Sequence, residues 1–260
     1  MCGLRRALLL LTLPVAGCGG AAESPPAAAP VGDGTGRAIV APANSADAAA
    51  DAPRRVIRPP QPRGRWATAR VTARAALRAA PGGRALGRIG PRTQFGGPRV
   101  VSVLGRRGGW LRVVVPERPN ARPAWIAVAA AREGATDVSL HIDRSDRMLV
   151  VRDRNRVVQR VAIGVGAPGH PTPTGRFAVT DKLEMGGPGT TYGCCAIALS
   201  AHQPHLPADW PGLDRIAVHG TQSPATIGTA ASLGCMHAGE RDLRRLMRTV
   251  PVGAPVFIRA

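Results

Sequence analysis

Apolar and polar residues alternate in short runs along the second half of the chain, which is the pattern of half-buried β-strands. The runs are separated by residue pairs that favour turns. The strand runs begin with the alternating Val138, Leu140 and Ile142 and continue at 148–151 and 157–165, with turns at Ser145-Asp146 and Arg154-Asn155. This order predicts a β-meander that begins near residue 137.

A second group of short apolar runs lies earlier in the chain and alternates with turns rich in glycine and proline. These runs cover residues 71–77, 86–89, 100–104, 110–115 and 125–128. Short strands at such even spacing predict a small all-β unit. We expect Trp110 and Trp125 in its core, because large aromatic side chains dominate small β cores.

One segment shows clear helical periodicity. Leu243, Leu246 and Met247 are spaced by three and four positions, and arginines occupy the opposite face. This spacing predicts an amphipathic helix that covers one end of the sheet core. The expected fold class is therefore mainly β, with few short helices.

The first twenty residues resemble a lipoprotein signal peptide. Arg5 and Arg6 precede an apolar run at 7–15, which is too short to span a bilayer of roughly 30 Å and is followed by Val-Ala-Gly and Cys18. The resemblance implies cleavage that leaves Cys18 as the first residue, bearing a lipid. An ordinary secretory signal is the alternative. Both interpretations predict export. A lipid anchor would in addition hold the protein at the outer face of the cytoplasmic membrane, in the cell wall or periplasm.

The segment after the signal is rich in alanine and proline and lacks the periodicity of either a helix or a strand. It is expected to be a disordered tether. The predicted organisation is a signal peptide (1–17), a linker (18–65), a first β domain (66–130) and a catalytic domain (136–260).

The formal net charge is +19, and Lys182 is the only lysine. A balance this basic favours anionic surroundings, among which acidic lipid, anionic wall polymers and nucleic acid are equivalent by charge alone. Aromatic residues are 3% of the chain and no recognition helix is evident. Nucleic acid is therefore not an expected partner.

Three cysteines remain once Cys2 leaves with the signal and Cys18 carries a lipid, namely Cys194, Cys195 and Cys235. Neighbouring Cα atoms lie ~3.8 Å apart, below the usual disulfide span of roughly 4.4–6.8 Å. A bond between Cys194 and Cys195 would therefore be strained, and the pair is expected to pack as two small buried side chains.

Cys235 has a plausible base in His219, sixteen residues before it. A free thiol has a pKa of roughly 8.5, so nucleophilic catalysis near neutral pH needs a histidine or a positive dipole beside it. His219 ends an apolar, strand-like run, and Cys235 follows a Ser-Leu-Gly turn. Both side chains are expected at one edge of the sheet.

These residues lie in AVHGTQSPATIGTAASLGCMHAGE, which resembles the L,D-transpeptidase catalytic domain with its His-Gly-Thr and Ser-x-Gly-Cys signature. HPTPTGRFAV resembles the family's Pro-Thr-Pro-x-Gly-x-Phe segment. YGCCAIALS resembles the stretch that leads to the substrate lip, and VPVGAPVFI resembles the closing strand. The resemblance covers about 137–259 and implies a β-sandwich-like fold.

The resemblance implies acyl transfer through a cysteine thioester. Cys235 attacks, His219 is the general base, and the carbonyl of Gly220 orients the imidazole. Backbone amides near Gly234 and Cys235 form the oxyanion hole. Ser232 either bonds the histidine or fixes the turn, and both roles stay open here.

The expected donor is a tetrapeptide stem of peptidoglycan, and a second stem's amine completes a 3→3 cross-link. Water as acceptor would make the enzyme an L,D-carboxypeptidase. Carbapenems are the expected β-lactam inhibitors. No cofactor is implied, and the oligomeric state is not predictable. The candidate substrate-binding residues are His237, Thr221, Tyr192 and Met236. Tyr192 either lines the pocket or packs beneath it, and packing is the favoured expectation.

His237 departs from the family pattern, in which arginine or asparagine is common two positions after the cysteine. The contact to a substrate carboxylate is therefore in doubt, although a histidine can still donate a hydrogen bond. Two other functions compete with the transpeptidase. One is a zinc site of His219, Cys235 and His237 with Cys194, and the other is a non-enzymatic lipoprotein that binds the wall.

The first β domain resembles a bacterial Src-homology-3-type domain. The resemblance rests on LRAAPGGRALGRI at its start and on the tryptophan-bearing strands GGWLRVVVP and PAWIAV. It implies a small barrel that binds wall peptides or positions a catalytic neighbour.

Overall fold

The computed structural model describes residues 64–260, and over that range the chain is mainly β with one α-helix, as the sequence pattern predicts. The predicted signal peptide, Cys18 and nearly all of the linker lie outside the described residues. No helix within the described range is long and apolar enough to cross a membrane.

Seven strands form the first sheet, and all of its pairings are antiparallel. Their order is β3-β2-β6-β5-β4-β1-β7. The predicted run at 71–77 is divided between two strands, because the chain turns after Val71. The strands are β1 (Trp66–Val71), β2 (Ala75–Arg78), β3 (Ala85–Ile89), β4 (Val100–Arg107), β5 (Trp110–Val114), β6 (Ala124–Ala127) and β7 (Ala131–Thr136).

Nine strands form the second sheet, in the order β14-β10-β15-β13-β12-β11-β16-β8-β9. An additional pairing of β10 with β9 closes this sheet on itself. The predicted meander is confirmed as β8 to β10. The strands are β8 (Val138–Asp143), β9 (Met148–Asp153), β10 (Arg156–Gly166), β11 (Gly175–Glu184), β12 (Cys195–His202), β13 (Arg215–His219), β14 (Ala230–Ser232), β15 (Met236–Ala238) and β16 (Pro255–Arg259).

Each sheet has its own hydrophobic core, and both cores are built mostly from aliphatic side chains. Phe177 is the one aromatic residue in the second core. Trp110 and Trp125 are only partly buried, so their expected place in the core of the first sheet is wrong. The guanidinium of Arg78 lies over the Trp110 ring instead, and valine, leucine, isoleucine and alanine fill the interior.

The predicted helix is confirmed as α1 (Glu240–Thr249), which packs against β12. Leu243 and Leu246, on the helix face that meets the core, are fully buried. Two acidic residues stand in its first turn, where the helix dipole favours negative charge. One of them, Glu240, is directed back toward the edge of the sheet.

The segment between β5 and β6 fastens the first sheet to the end of β12. The side-chain amide of Asn120 donates to the carbonyl of His202 at 2.7 Å and accepts from its N–H at 2.9 Å. Nearby, Arg99 is buried and forms an ion pair with Glu117 at 2.7 Å. Gln203, the residue after this contact, reaches the candidate site.

Candidate active site

A cavity of about 290 Å³ opens beside β13 and β15. These two strands are parallel neighbours, and their register places His219 opposite His237. The ring centroids of the two histidines are 5.0 Å apart. Cys235 immediately precedes β15, so the sheet brings the predicted nucleophile and the predicted base to the same cavity.

Cys235 is the one free cysteine in the described part of the chain, and it is partly buried. Its Sγ donates to the carbonyl of Arg215 at 3.7 Å. Burial raises the pKa of the Cys235 thiol above its ordinary value, and a backbone hydrogen bond with Ala217 opposes that rise only in part. Cys235 is therefore a neutral thiol near pH 7 and needs a base to become a nucleophile.

His219, the predicted base, is held in its neutral form. Its side chain is 4% exposed, and Nδ1–H donates to the carbonyl of Gly220 at 2.5 Å. Because a carbonyl oxygen only accepts, the neutral ring has its lone pair on Nε2. Burial lowers the pKa of His219 to about 4, the bond to Gly220 opposes this, and His237 lowers it further.

Gly220 has no room for a side chain. A Cβ at this position would lie 2.6 Å from Oε1 of Glu240 and 2.7 Å from Cα of Gly193. Glu240 is held there because its carboxylate accepts from the N–H of Cys194 at 3.0 Å. The carbonyl that orients His219 is thus set by a close approach of two backbone segments and the first residue of α1.

The turn before Cys235 is closed by Ser232. Its Oγ donates to the carbonyl of Cys235 at 2.6 Å and accepts from the N–H of Gly234 at 3.0 Å. Ser232 therefore fixes the turn and does not bond His219. The Gly234 amide is occupied by this bond, so the expectation that it serves the oxyanion hole needs correction, and the N–H of Cys235 is the amide that remains.

Gly234 is required for its backbone conformation and for a close contact. Its φ is +116°, and a Cβ there would collide with Nε2 of Gln203. Its carbonyl accepts from Oγ1 of Thr172 at 2.8 Å, and the same oxygen of Thr172 accepts from the N–H of Gly166. The HPTPTGRF segment thus supports the catalytic turn through a fully buried threonine.

Gln203 was not predicted, yet it bonds three backbone carbonyls around the site. Its Nε2 donates to Leu233 at 3.0 Å, to His170 at 3.0 Å and to Pro171 at 3.2 Å. The side chain is 4% exposed. No local motif marks this residue, because all three acceptors are at least 30 positions away.

The remaining predicted contacts divide into three that line the cavity and one that does not. His237, Thr221 and Tyr192 line it. Tyr192 is 41% exposed and stands edge-on to the His219 ring, so the expectation that it packs beneath the pocket is wrong. Met236 is also a correction. It is fully buried in the core, because alternation along β15 turns it away from the face that carries His237.

Cys194 and Cys195 are both buried as expected, but they are joined by a disulfide bond, which corrects the expectation of two separate thiols. Cys194 lies in the turn before β12, so strand alternation does not separate the two side chains. Bonded sulfur is not a thiolate ligand, so Cys194 is not available to the zinc alternative. No cluster of three metal-ligating side chains occurs among residues 64–260.

The arrangement suits nucleophilic catalysis on an acyl group. A neutral thiol and a neutral imidazole share a cavity with mostly apolar walls, and the imidazole is oriented by a backbone carbonyl. Such a site can attack a carbonyl carbon, hold the acyl group on sulfur and pass it to an acceptor.

The family model for the L,D-transpeptidase catalytic domain matches residues 137–258. The proposed L,D-transpeptidase YkuD of Bacillus subtilis (strain 168) is 31% identical over 148 residues, which cover 56% of this chain and 73% of that protein. Its counterpart in Bacillus licheniformis is 30% identical to this chain over 117 residues, which cover 62% of that protein.

Solved structures of similar proteins include an L,D-transpeptidase from Mycobacterium smegmatis. It is 18% identical to this chain, with a TM-score of 0.38, and the match covers 58% of this chain and 90% of that one.

Proposed function

Because this chain belongs to the L,D-transpeptidase family, we propose that it joins peptidoglycan stem peptides by acyl transfer through a thioester on Cys235. The observation that carries the proposal is the bond from Nδ1 of His219 to Gly220. It leaves Nε2 unprotonated in the cavity that holds the one free thiol of the described chain.

The first half of the reaction forms the acyl-enzyme. Nε2 of His219 takes the thiol proton as the sulfur of Cys235 attacks the carbonyl between diaminopimelate and the terminal D-alanine. The N–H of Cys235 donates to the oxyanion of the tetrahedral intermediate. The proton on His219 passes to the departing D-alanine amine, and the stem remains on sulfur as a thioester.

The second half consumes the thioester. The side-chain amine of a second stem attacks the thioester carbonyl and gives up a proton to His219, and the thiol is regenerated. The product is a 3→3 cross-link. With water in place of the amine, the same steps release a tripeptide, so acceptor access decides between transpeptidase and carboxypeptidase.

The proposal extends to location. The signal-like start of the chain and Cys18 support export and lipid anchoring, which would bring the site to its polymer substrate. The high net positive charge suits an anionic wall and membrane surface. The first sheet, with its resemblance to a Src-homology-3-type domain, would bind wall peptides or hold the catalytic sheet in position.

Incubation with purified muropeptides tests the function. Tetrapeptide monomers are mixed with the enzyme, and the products are identified by chromatography and mass spectrometry. Cross-linked dimers with loss of D-alanine support the transpeptidase, tripeptides alone support the carboxypeptidase, and unchanged monomers overturn both. The matched control is Cys235→Ala, which is expected to yield no product.

A further inference from the structure

His237 is held by a hydrogen bond whose direction can be deduced. Oγ1 of Thr226 lies 2.7 Å from Nδ1 of His237 and also 2.7 Å from the carbonyl oxygen of Ser223. A hydroxyl has one proton, and a carbonyl oxygen has none to give. Thr226 therefore donates to Ser223 and accepts from His237, which places the ring proton on Nδ1.

The consequence appears at the other ring nitrogen. A neutral imidazole with a proton on Nδ1 has a bare lone pair on Nε2. Among the described residues no hydrogen-bond partner contacts this Nε2, and the ring lines the cavity with Cys235 and His219. The site thus presents a hydrogen-bond acceptor beside its nucleophile.

The position of Thr226 is fixed by the fold. In β10, Gly164 is paired with His237, and the space a Cβ would occupy at Gly164 is filled by the carbonyl of Thr226. Gly228 donates to the carbonyl of Ile163 at 3.2 Å, and Oγ1 of Thr229 donates to the carbonyl of Thr226 at 2.8 Å. The loop is therefore tied to β10 by the residues that directly follow the threonine.

The charge state of the ring is compatible with this role. Burial lowers the pKa of His237 below its ordinary value, so the ring is neutral near pH 7. Other titratable or charged groups share the cavity with it. They are Tyr192, Asp214, Arg215, His219 and Cys235.

We propose that His237 is a specificity-determining residue that accepts a hydrogen bond from an N–H group of the donor stem. A carboxylate has no proton to donate and would meet the lone pair of Nε2, whereas a carboxamide donates. The enzyme thus selects stems in which a carboxamide replaces a free carboxylate near the scissile bond. This inference rests on the proposed function and names the substrate class of the same site.

Three synthetic tetrapeptide stems test the proposal. One is unmodified, one carries a carboxamide at the free carboxyl of diaminopimelate, and one ends in D-alaninamide. Thioester formation on the enzyme is followed by mass spectrometry at pH 7. One of the two stems that carry a carboxamide should acylate Cys235 about five- to tenfold faster than the unmodified stem does. This is the ratio expected for one ordinary hydrogen bond.

Two variants separate this role from a structural one. His237→Arg, which can only donate, should reverse the preference toward the unmodified stem. Thr226→Val removes the acceptor for Nδ1–H and should abolish the preference, while Thr226→Ser should retain it. Nitrogen-15 NMR of the histidines should show a protonated Nδ1 and a bare Nε2 for His237, and this state should be lost in Thr226→Val.

Equal acylation of all three stems, preference for the unmodified stem, or a preference unchanged in His237→Arg would overturn the inference and leave the proposed function standing. Absence of a thioester with every stem would overturn the proposed function itself, and the inference with it.

Discussion

Nδ1 of His219 lies 2.5 Å from the carbonyl oxygen of Gly220, the residue that follows it in the chain. The bond assigns the ring proton to Nδ1, so that Nε2 is the nitrogen able to take a proton from Cys235. A main-chain carbonyl thus performs the orienting task that a carboxylate performs in other nucleophile–histidine sites. Unlike a carboxylate, the carbonyl adds no negative charge beside the imidazole. Burial of the His219 ring keeps the ring neutral.

This electrostatic setting predicts an unusual pH profile. Because the pKa of His219 is lowered to about 4, its imidazole remains a base from neutral pH down to that value. Acylation of Cys235 by a carbapenem should therefore lose rate with a midpoint near pH 4, not near 6.5. Because burial raises the pKa of the Cys235 thiol, the ultraviolet absorbance of its thiolate should appear only above the range of an ordinary cysteine, roughly pH 8.5.

An acid limb near pH 6.5, or thiolate absorbance at neutral pH, would indicate a thiolate–imidazolium pair and contradict this account. His219→Ala provides the control, since its slow residual acylation should lack the acid limb.

Substitution of Gly220 should disable the site. In Gly220→Ala the added Cβ meets the carboxylate of Glu240 and the backbone of Gly193, so the carbonyl that orients His219 must move. A displacement of this kind is expected to lower the acylation rate by about a hundredfold. Gly169→Ala is the matched control, because a Cβ there has open space, and it should acylate at the wild-type rate. Equal rates for the two variants would show that the carbonyl does not set the base.

Gln203→Leu should destabilise the catalytic turn. Three carbonyls lose their side-chain donor, and each becomes a poorly solvated acceptor. The free energy of unfolding should fall by about 1–3 kcal/mol, measured by urea denaturation. The exposed Gln94→Leu is the control and should leave the stability unchanged within error. Full stability in Gln203→Leu would mean that water replaces the amide without cost.

The contact between the first sheet and β12 should affect both stability and catalysis. Asn120→Ala removes both bonds to the main chain of His202, next to Gln203. We expect a loss of about 1–3 kcal/mol together with slower acylation of Cys235. Asn120→Asp keeps the acceptor and loses the donor, so its effect should be intermediate. If Asn120→Ala acylates at the wild-type rate, the first sheet does not influence the site.

The meander, the helix and the candidate pair of Cys235 and His219 could be predicted because each has a local signal. Alternation marks β8 to β10, three- and four-residue spacing marks α1, and the Ser-x-Gly-Cys turn marks Cys235. The supporting residues carry no such signal. Thr172 and Gln203 are common side-chain types, and their bonds to the turn before Cys235 span 62 and 30 positions.

The predictions that were wrong or left open also concern contacts that depend on the folded chain. Met236 neighbours the nucleophile in sequence but points to the opposite face of β15. The pairing of Cys194 with Cys195 depends on a turn conformation that sequence spacing does not reveal. Ser232 had two equally plausible partners, and only the folded turn decides between them.

Intact-mass and peptide-level mass spectrometry after brief exposure of the enzyme to a tetrapeptide stem tests most directly whether Cys235 is the nucleophile. We expect a thioester adduct equal in mass to the stem without its terminal D-alanine, located on Cys235 and absent from Cys235→Ala. An adduct on another residue, or D-alanine release that persists in Cys235→Ala, would contradict it.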